Sequence, residues 1–534
     1  MILINEYLLL IGVVIMICII SSKFIEKIAV PSLLIFLALG MCFGENGIFK
    51  IPFDNYALAD IICSVSLVFI MFYGGFGTNT EEAKPVAVKA ILLSSFGTVL
   101  TACFVGVFIH YVFKLEWIES LLIGSVIAST DAASVFNILR SKNLSLKYNT
   151  SSLLEVESGS NDPFSYMLTV SFISVAIGGE VSFVSVVVKQ LLIGVAFGVI
   201  SGKGVAWVIN KFDFGGSDGR TIFVFAAAIV SYAFPVAIGG NGYLSVYLCG
   251  IILGSCEISR KKYLVHFFDI ITSVAQVVIF FLLGLLVTPS ELPSVFVPAA
   301  LIMLFMTFVA RPVVVSFILL PLKSKLAQIG VVSWAGLRGV ASIVFAITAV
   351  LNNVPMKYNI FNLVFCIVLL SISLQGTILP WVSKKLRMID YSSDVNKTFN
   401  DYQEESSIDF IKIDATEENN LVNKKIKDIG LPGELLVVMI LRNGKNIVPN
   451  GETDILMGDK LIVAAQEFEE EGKVGLREVS IGKSHKWKDK ALSEISIPKG
   501  TLIVMIKRNN ISLIPGGSTK IAEGDTLVVA NTLV

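Results

Sequence analysis

Long apolar runs, broken at short intervals by polar and charged residues, fill the chain from its start to about Met388. A helix rises about 1.5 Å per residue, so a run of roughly 20 residues matches the apolar thickness of a bilayer. Thirteen such spans can be drawn, at 5–22, 31–44, 57–77, 86–113, 118–140, 149–177, 181–209, 220–236, 241–257, 264–287, 294–320, 328–350 and 358–384. From about Tyr391 the pattern changes. Residues 389–405 are polar and short of large aliphatics, and beyond them brief apolar runs at 435–440, 461–464, 502–506 and 527–530 read as strands. Asn443-Gly444 and Asn509-Asn510 predict hairpin turns. The expected fold is an all-α polytopic membrane protein of about thirteen transmembrane helices over residues 1–388. A linker at 389–405 and two small β-rich modules, at 406–467 and 475–534, follow it.

The two modules repeat each other at an offset of 66 residues. Pro432 matches Pro498, Met439 matches Met505, Arg442-Asn443 matches Arg508-Asn509, and Gly458-Asp459 matches Gly524-Asp525. No strand-GxGxxG-helix fingerprint occurs in the tail, so a dinucleotide-binding half is not expected there.

Charge orients the spans. Breaks and ends after odd-numbered spans hold eighteen Lys and Arg residues, among them Lys23, Lys27, Arg260, Lys261, Lys262, Lys384, Lys385 and Arg387. Those after even-numbered spans hold three, Lys50, Lys114 and Lys357. The positive-inside rule then puts the N-terminus outside and the tail in the cytoplasm. Glu6 precedes the first run and Lys23 and Lys27 follow it, so it reads as a retained span and not as a signal peptide.

Composition agrees. The chain is 54% hydrophobic and 16% charged, with formal charge zero, and its mean hydropathy is +0.78. The tail gives no reason to expect nucleic-acid binding. Seven cysteines lie in or beside apolar runs with no CxxC pair, and three scattered histidines make no metal cluster. An enzyme is not expected, and neither is a bound cofactor.

The candidate chemistry sits at membrane depth, where ionisable groups are costly and functional by default. Residues 154–163 read Leu-Glu-Val-Glu-Ser-Gly-Ser-Asn-Asp-Pro. On a helix Glu157 and Asn161 share one face, and Ser158 and Asp162 the adjoining one. The competing reading is a polar loop that leaves the acids in water, because Pro163 makes the helix start ambiguous. Span 5 carries Ala128-Ser129-Thr130-Asp131, and span 12 carries Gly336-Leu337-Arg338-Gly339. Polar segments on spans 5, 6 and 12 suggest two six-span halves of opposite orientation, with interrupted helices meeting at the midplane. Arg338 is expected to pair with Glu157, which Asn161 supports, leaving Asp162 free. A lone carboxylate in a half-dry cavity, with oxygens from Ser158, Thr130 and Asp131 near it, binds a cation or a proton but seldom both. With alternating access that is cation/proton exchange.

These three motifs together resemble the monovalent cation/proton antiporters of the Asn-Asp type. The branch they look most like is the bacterial potassium/proton one with a cytoplasmic tail. The resemblance implies a cell-membrane homodimer with elevator-like motion and electroneutral exchange. It implies ion coordination by Asp162, Asp131, Thr130 and Ser158, and a structural triad of Glu157, Asn161 and Arg338. Two departures stand out: Ala132 where sodium/proton members usually have Pro, and Gly159-Ser160 where they often have two Leu. Both favour potassium, with sodium as the alternative. The tail modules resemble the RCK-C (TrkA-C) domains of potassium transporters and channels, which implies dimerisation and a small regulatory ligand such as a cyclic dinucleotide or another nucleotide.

Other residues attract less. Arg311-Pro312 in span 11 reads as a lock on a neighbouring helix end, Asp60 and Asp269 as interfacial or capping acids, and His110 as a wetted residue near the outer end of span 4. Two rivals of a different class remain, a tail-gated potassium channel subunit and a membrane sensor. No TVGYG-type filter is present, and several midplane acids with one Arg suit a carrier better than a pore.

Overall fold

The structure, a computed structural model, describes residues 12–13, 15–20 and 32–390, apart from 46, 52, 79–82, 132–133, 136–137, 140–143, 145, 179–181, 213–216, 257 and 259–260. It also describes 408–532, apart from 416–420, 430–434, 443–444, 467–473, 483–484, 496–500, 509–510, 514 and 518. The chain divides into two units, Met1–Asn396 and Lys397–Val534.

The described residues of the first unit are mostly helical. Its described helices are α1 (Ser32–Phe43), α2 (Tyr56–Gly77), α3 (Ala87–Leu92), α4 (Thr98–Phe113), α5 (Trp117–Val126), α6 (Thr150–Ala176), α7 (Phe183–Lys211) and α8 (Ser217–Ala237). There follow α9 (Gly242–Ser255), α10 (Lys261–Leu286), α11 (Leu292–Phe305), α12 (Arg311–Leu319), α13 (Leu326–Trp334), α14 (Val340–Leu351), α15 (Ile360–Leu370) and α16 (Thr377–Lys385). They follow the drawn spans in order. Seven helical stretches among the described residues are long and apolar enough to cross a membrane alone. The first span is described only at residues 12–13 and 15–20, all helical, and the linker lies outside the described residues. Thirteen as a count therefore stays an expectation.

Several spans are not plain α-helices, and the irregularities recur. Span 5 stops at Val126 and span 12 stops at Trp334, each followed by an unwound stretch, 127–131 and 335–339. Spans 4 and 11 each contain a π-helical turn, Leu93–Gly97 and Met306–Ala310. Both pairs are seven spans apart, the spacing expected of two related halves. A third π turn, Ser371–Gly376, joins α15 to α16. In span 11 the π turn has a local cause, because Pro312 has no N–H to give to the preceding turn.

The tail unit holds two four-stranded antiparallel sheets of one design. The first has β1 (Ile408–Asp414), β2 (Leu436–Arg442), β3 (Lys445–Ile447) and β4 (Lys460–Gln466) in the order β1-β4-β2-β3. The second has β5 (Val474–Ser480), β6 (Thr501–Arg508), β7 (Ile511–Leu513) and β8 (Thr526–Thr532) in the order β5-β8-β6-β7. The strands on either side of the predicted turns pair as hairpins, Arg442 with Lys445 and Arg508 with Ile511, and the turn residues 443–444 and 509–510 lie outside the described residues. Register shifts fall at Val437/Met439 and Ile503/Met505, again 66 apart. The matched residues have matched work. Arg442 binds Asp459 through Nε and Nη2 at 2.8 and 2.7 Å, and Arg508 binds Asp525 at 2.7 and 2.7 Å. Each guanidinium holds its aspartate below the usual carboxylate range through these hydrogen bonds. Gly458 and Gly524, before each aspartate, take φ of +83° and +87°, where a side chain would be strained.

Candidate ion-binding site

Residues 154–163 lie inside α6, which runs through Pro163 without a break, so the loop reading fails. Glu157, Ser158, Asn161 and Asp162 are buried, while Glu155 on the other side is exposed. The buried face of α6 meets the unwound stretch of span 5. Asn161 Oδ1 accepts from the Thr130 backbone N–H at 3.1 Å, and its Nδ2 donates to Thr130 Oγ1 at 2.5 Å and Glu157 Oε1 at 3.2 Å. The Ser158 hydroxyl donates to the Thr130 carbonyl at 2.6 Å. These bonds replace the helix ladder that the unwound backbone has lost, which is how irregular backbone is tolerated at membrane depth.

The two interrupted spans are joined directly. The Asp131 N–H donates to the Leu337 carbonyl at 2.8 Å, and the Arg338 N–H donates to Ser371 Oγ at 3.0 Å. The glycines flanking Leu337-Arg338 make this approach possible. A methyl group on Gly339 would stand 2.5 Å from Asp131 Oδ2, and one on Gly336 would stand 2.9 Å from Arg311 Nε. We expect Gly339→Ala to displace Asp131, lowering stability by about 1–3 kcal/mol and cutting transport. Thermal unfolding and a transport assay on the same preparation check both effects.

The structure corrects the expected ion pair. Glu157 is held by Arg311, with Nη2 2.8 Å from Oε1 and both side chains almost fully buried, at 3% and 1% exposure. Arg338 is fully buried, but its Nη1 donates to the carbonyls of Ala128 and Ser129 at 2.8 and 2.5 Å. Among the described residues no carboxylate lies within salt-bridge distance of it. The reason lies in the helix break. The end of α5 leaves backbone carbonyls without helical donors, and a guanidinium satisfies them while facing the negative end of the helix dipole. Arg311, just after the π turn of span 11, is left for Glu157. It does lock a neighbouring helix, through a carboxylate in the body of that helix.

Asp131 and Asp162 differ in their surroundings. Both Asp131 oxygens face Ser134, Oδ2 accepting from the hydroxyl at 2.5 Å and Oδ1 from the N–H at 3.3 Å. That is the bonding of a helix N-cap. Asp162 Oδ1 is buried and has no hydrogen-bond partner among the described residues. Its neighbours are Ser129, Asp131, Glu157 and Arg338.

The sodium/hydrogen exchanger (transmembrane) family profile matches residues 12–385. The chain belongs to this family. The exchanger's tail matches the TrkA-C domain twice, at 411–467 and 476–532. The chain is 31% identical over 466 residues to the "K(+)/H(+) antiporter NhaP" of Alkalimonas amylolytica, covering 86% of this chain and 81% of that one. It is 30% identical over 472 residues to the "K(+)/H(+) antiporter NhaP2" of Shewanella baltica, covering 87% and 81%. The sodium proton antiporter MjNhaP1 of Methanocaldococcus jannaschii shares the fold, with a TM-score of 0.64, 22% identity, and coverage of 72% of this chain and 99% of that one. The exchanger is thus a multi-pass membrane protein with a TrkA-C tail.

Sequence reasoning missed several residues at the site. Asn241, before α9, caps that helix through Leu244 N at 3.0 Å and donates from Nδ2 to the Pro163 carbonyl at 2.8 Å, next to Asp162. The Asn-Gly pair opening span 9 is its only sequence signal. Ser134 and Ser371 look like any serine in an apolar run. His110 is half-buried, its Nδ1 2.7 Å from the Leu115 carbonyl and its ring stacked on Trp117 at 3.8 Å.

Proposed function

We propose that this protein exchanges cytoplasmic potassium for external protons, with sodium as the alternative cation. The carrying observation is Asp162, whose buried Oδ1 has no hydrogen-bond partner among the described residues although the Ser129 hydroxyl and the Asp131 and Glu157 carboxylates are near it. A hard monovalent cation takes such oxygens, and a proton competes for the same carboxylate. Asp162 is the charged ligand, with Ser158, Thr130 and Asp131 completing the set. Glu157, Asn161, Arg311 and Arg338 hold the crossing in shape. Asn161 cannot titrate, so one charge exchanges for one and transport is electroneutral. The greater similarity to the potassium antiporters supports potassium, and 23% identity over 387 residues to the "Na(+)/H(+) antiporter ApNhaP" of Aphanothece halophytica supports sodium as the alternative.

In this reading the protein is a homodimer in a bacterial cell membrane, with its N-terminus outside and its tail in the cytoplasm. The site moves by an elevator-like motion, and the tail regulates it in response to a small ligand, a cyclic dinucleotide or other nucleotide. Proteoliposomes holding an imposed pH gradient test the exchange. Potassium, then sodium, should collapse the gradient, and choline should not. Protein lacking residues 391–534 should still exchange, with altered control. Loss of exchange from well-folded truncated protein contradicts a purely regulatory tail, and no cation response from full-length protein contradicts the exchanger reading.

A further inference from the structure

Gln375 is a buried carboxamide in the π turn Ser371–Gly376 that joins α15 to α16. Such a group is costly in an apolar span unless it is hydrogen-bonded, and both of its ends are. Its Nε2 donates to the Trp334 carbonyl at 2.6 Å. Its Oε1 accepts from the Ser371 hydroxyl at 3.1 Å and from the Thr307 hydroxyl at 3.4 Å. The Trp334 indole N–H returns a bond to the Gln375 carbonyl at 3.0 Å. Thr307 belongs to the π turn of span 11, and Trp334 is the last residue of α13. The irregular turns of spans 11 and 13 and the break in span 12 therefore meet at one side chain.

These bonds stand in for one that a continuous helix would make. If α13 ran on, the Arg338 N–H would donate to the Trp334 carbonyl, four residues back. Instead the Arg338 N–H donates to Ser371 Oγ at 3.0 Å, the Ser371 hydroxyl donates to Gln375 Oε1, and Gln375 Nε2 supplies the Trp334 carbonyl. Both ends of the broken helical bond are satisfied, so closing the break gains no hydrogen bond. Asn161 serves the break of span 5 in the same way from span 6. Its carboxamide accepts from the Thr130 N–H and donates to the Thr130 hydroxyl. Spans 6 and 13 are seven apart, the same spacing as the two breaks.

The stretch held open in this way is the one that supports the site. The Leu337 carbonyl receives the Asp131 N–H, and Arg338 Nη1 donates to the carbonyls of Ala128 and Ser129. We propose that Gln375 is a positioning residue for cation binding. With Ser371 it sets the opening of span 12, and through Leu337 and Arg338 it sets where Thr130 and Asp131 stand. The inference rests on the exchanger reading, and its test separates the two.

The test measures the half-saturating potassium concentration and the maximal rate of exchange for the full chain in proteoliposomes. Wild type is compared with Gln375→Met, Ser371→Ala and the double variant. Gln375→Met keeps the length of the side chain and removes its amide. Half-saturating potassium should rise roughly 10–100-fold, the loss that follows when groups supporting the ligands of a bound metal ion are removed. The maximal rate should fall less. The double variant should be no worse than the more severe single one, because both substitutions cut one chain of bonds. Ser371→Ala removes a single oxygen and stands in if Gln375→Met fails to fold. A fall in maximal rate with half-saturation unmoved is the mark of general loosening and overturns the proposal, as do effects that multiply in the double variant. A wild type that responds to no cation fails the exchanger reading instead.

Discussion

Asp162→Asn should abolish exchange and leave the protein folded. Potassium added to proteoliposomes holding a pH gradient should give the response of empty liposomes. The size of the loss follows from the carboxylate's role. Removing mere supporting groups around a bound metal ion costs about 10–100-fold, and Asp162 is the proposed charged ligand itself, so its loss should exceed that range. Stability should move the other way or not at all. Asp162 Oδ1 has no hydrogen bond to lose among the described residues, and of the charges that act on the side chain Asp131 and Glu157 repel it while Arg338 attracts it. Neutralising it removes like-charge repulsion inside a buried cluster. Retained exchange would move the site elsewhere, with Asp131 the next candidate.

Glu157→Ala and Arg311→Ala should each lower stability by roughly 3–5 kcal/mol, because each strands a buried charge. The pair is 2.8 Å apart and nearly solvent-free. Replacing both residues by Met should recover much of the loss, since a buried ion pair exchanged for apolar groups is often neutral. Arg338→Ala should cost less stability, as it frees carbonyls and leaves no unpaired charge among the described residues, about 1–3 kcal/mol for each unsatisfied group. Its larger effect should be on transport, because the Ala128-Ser129 backbone, which leads into Thr130 and Asp131, would lose its anchor. Thermal unfolding in detergent ranks the three single variants. If Arg338→Ala is the least stable, the assignment of Arg311 to Glu157 is wrong.

The sequence was most legible where one strong physical rule acted alone. Apolar run length located the helices, and a fixed offset of 66 exposed the paired tail modules down to the Arg442–Asp459 and Arg508–Asp525 bridges. The stretch 154–163 was recognisable as a candidate site because carboxylates are rare in apolar surroundings. Partner choice was not legible. Glu157 had two buried arginines within the fold's reach, and which one bonded depended on where the helices broke. Arg338 sits in an unwound stretch beside another, so backbone carbonyls claim it, a consequence of three-dimensional crossing that no local pattern encodes.

The π turn before Arg311 carries a historical implication. A π turn is what an α-helix becomes when it accommodates one additional residue, and one residue corresponds to about 100° of rotation about the helix axis. Removing a residue from Met306–Ala310 to restore regular winding would swing Arg311 a quarter-turn away from Glu157. The insertion and the buried bridge are therefore tied together, and an ancestor with a regular helix here would have needed another partner for that glutamate. Lineages in which this segment changes length by one residue should change the residue at position 157 or 311 as well.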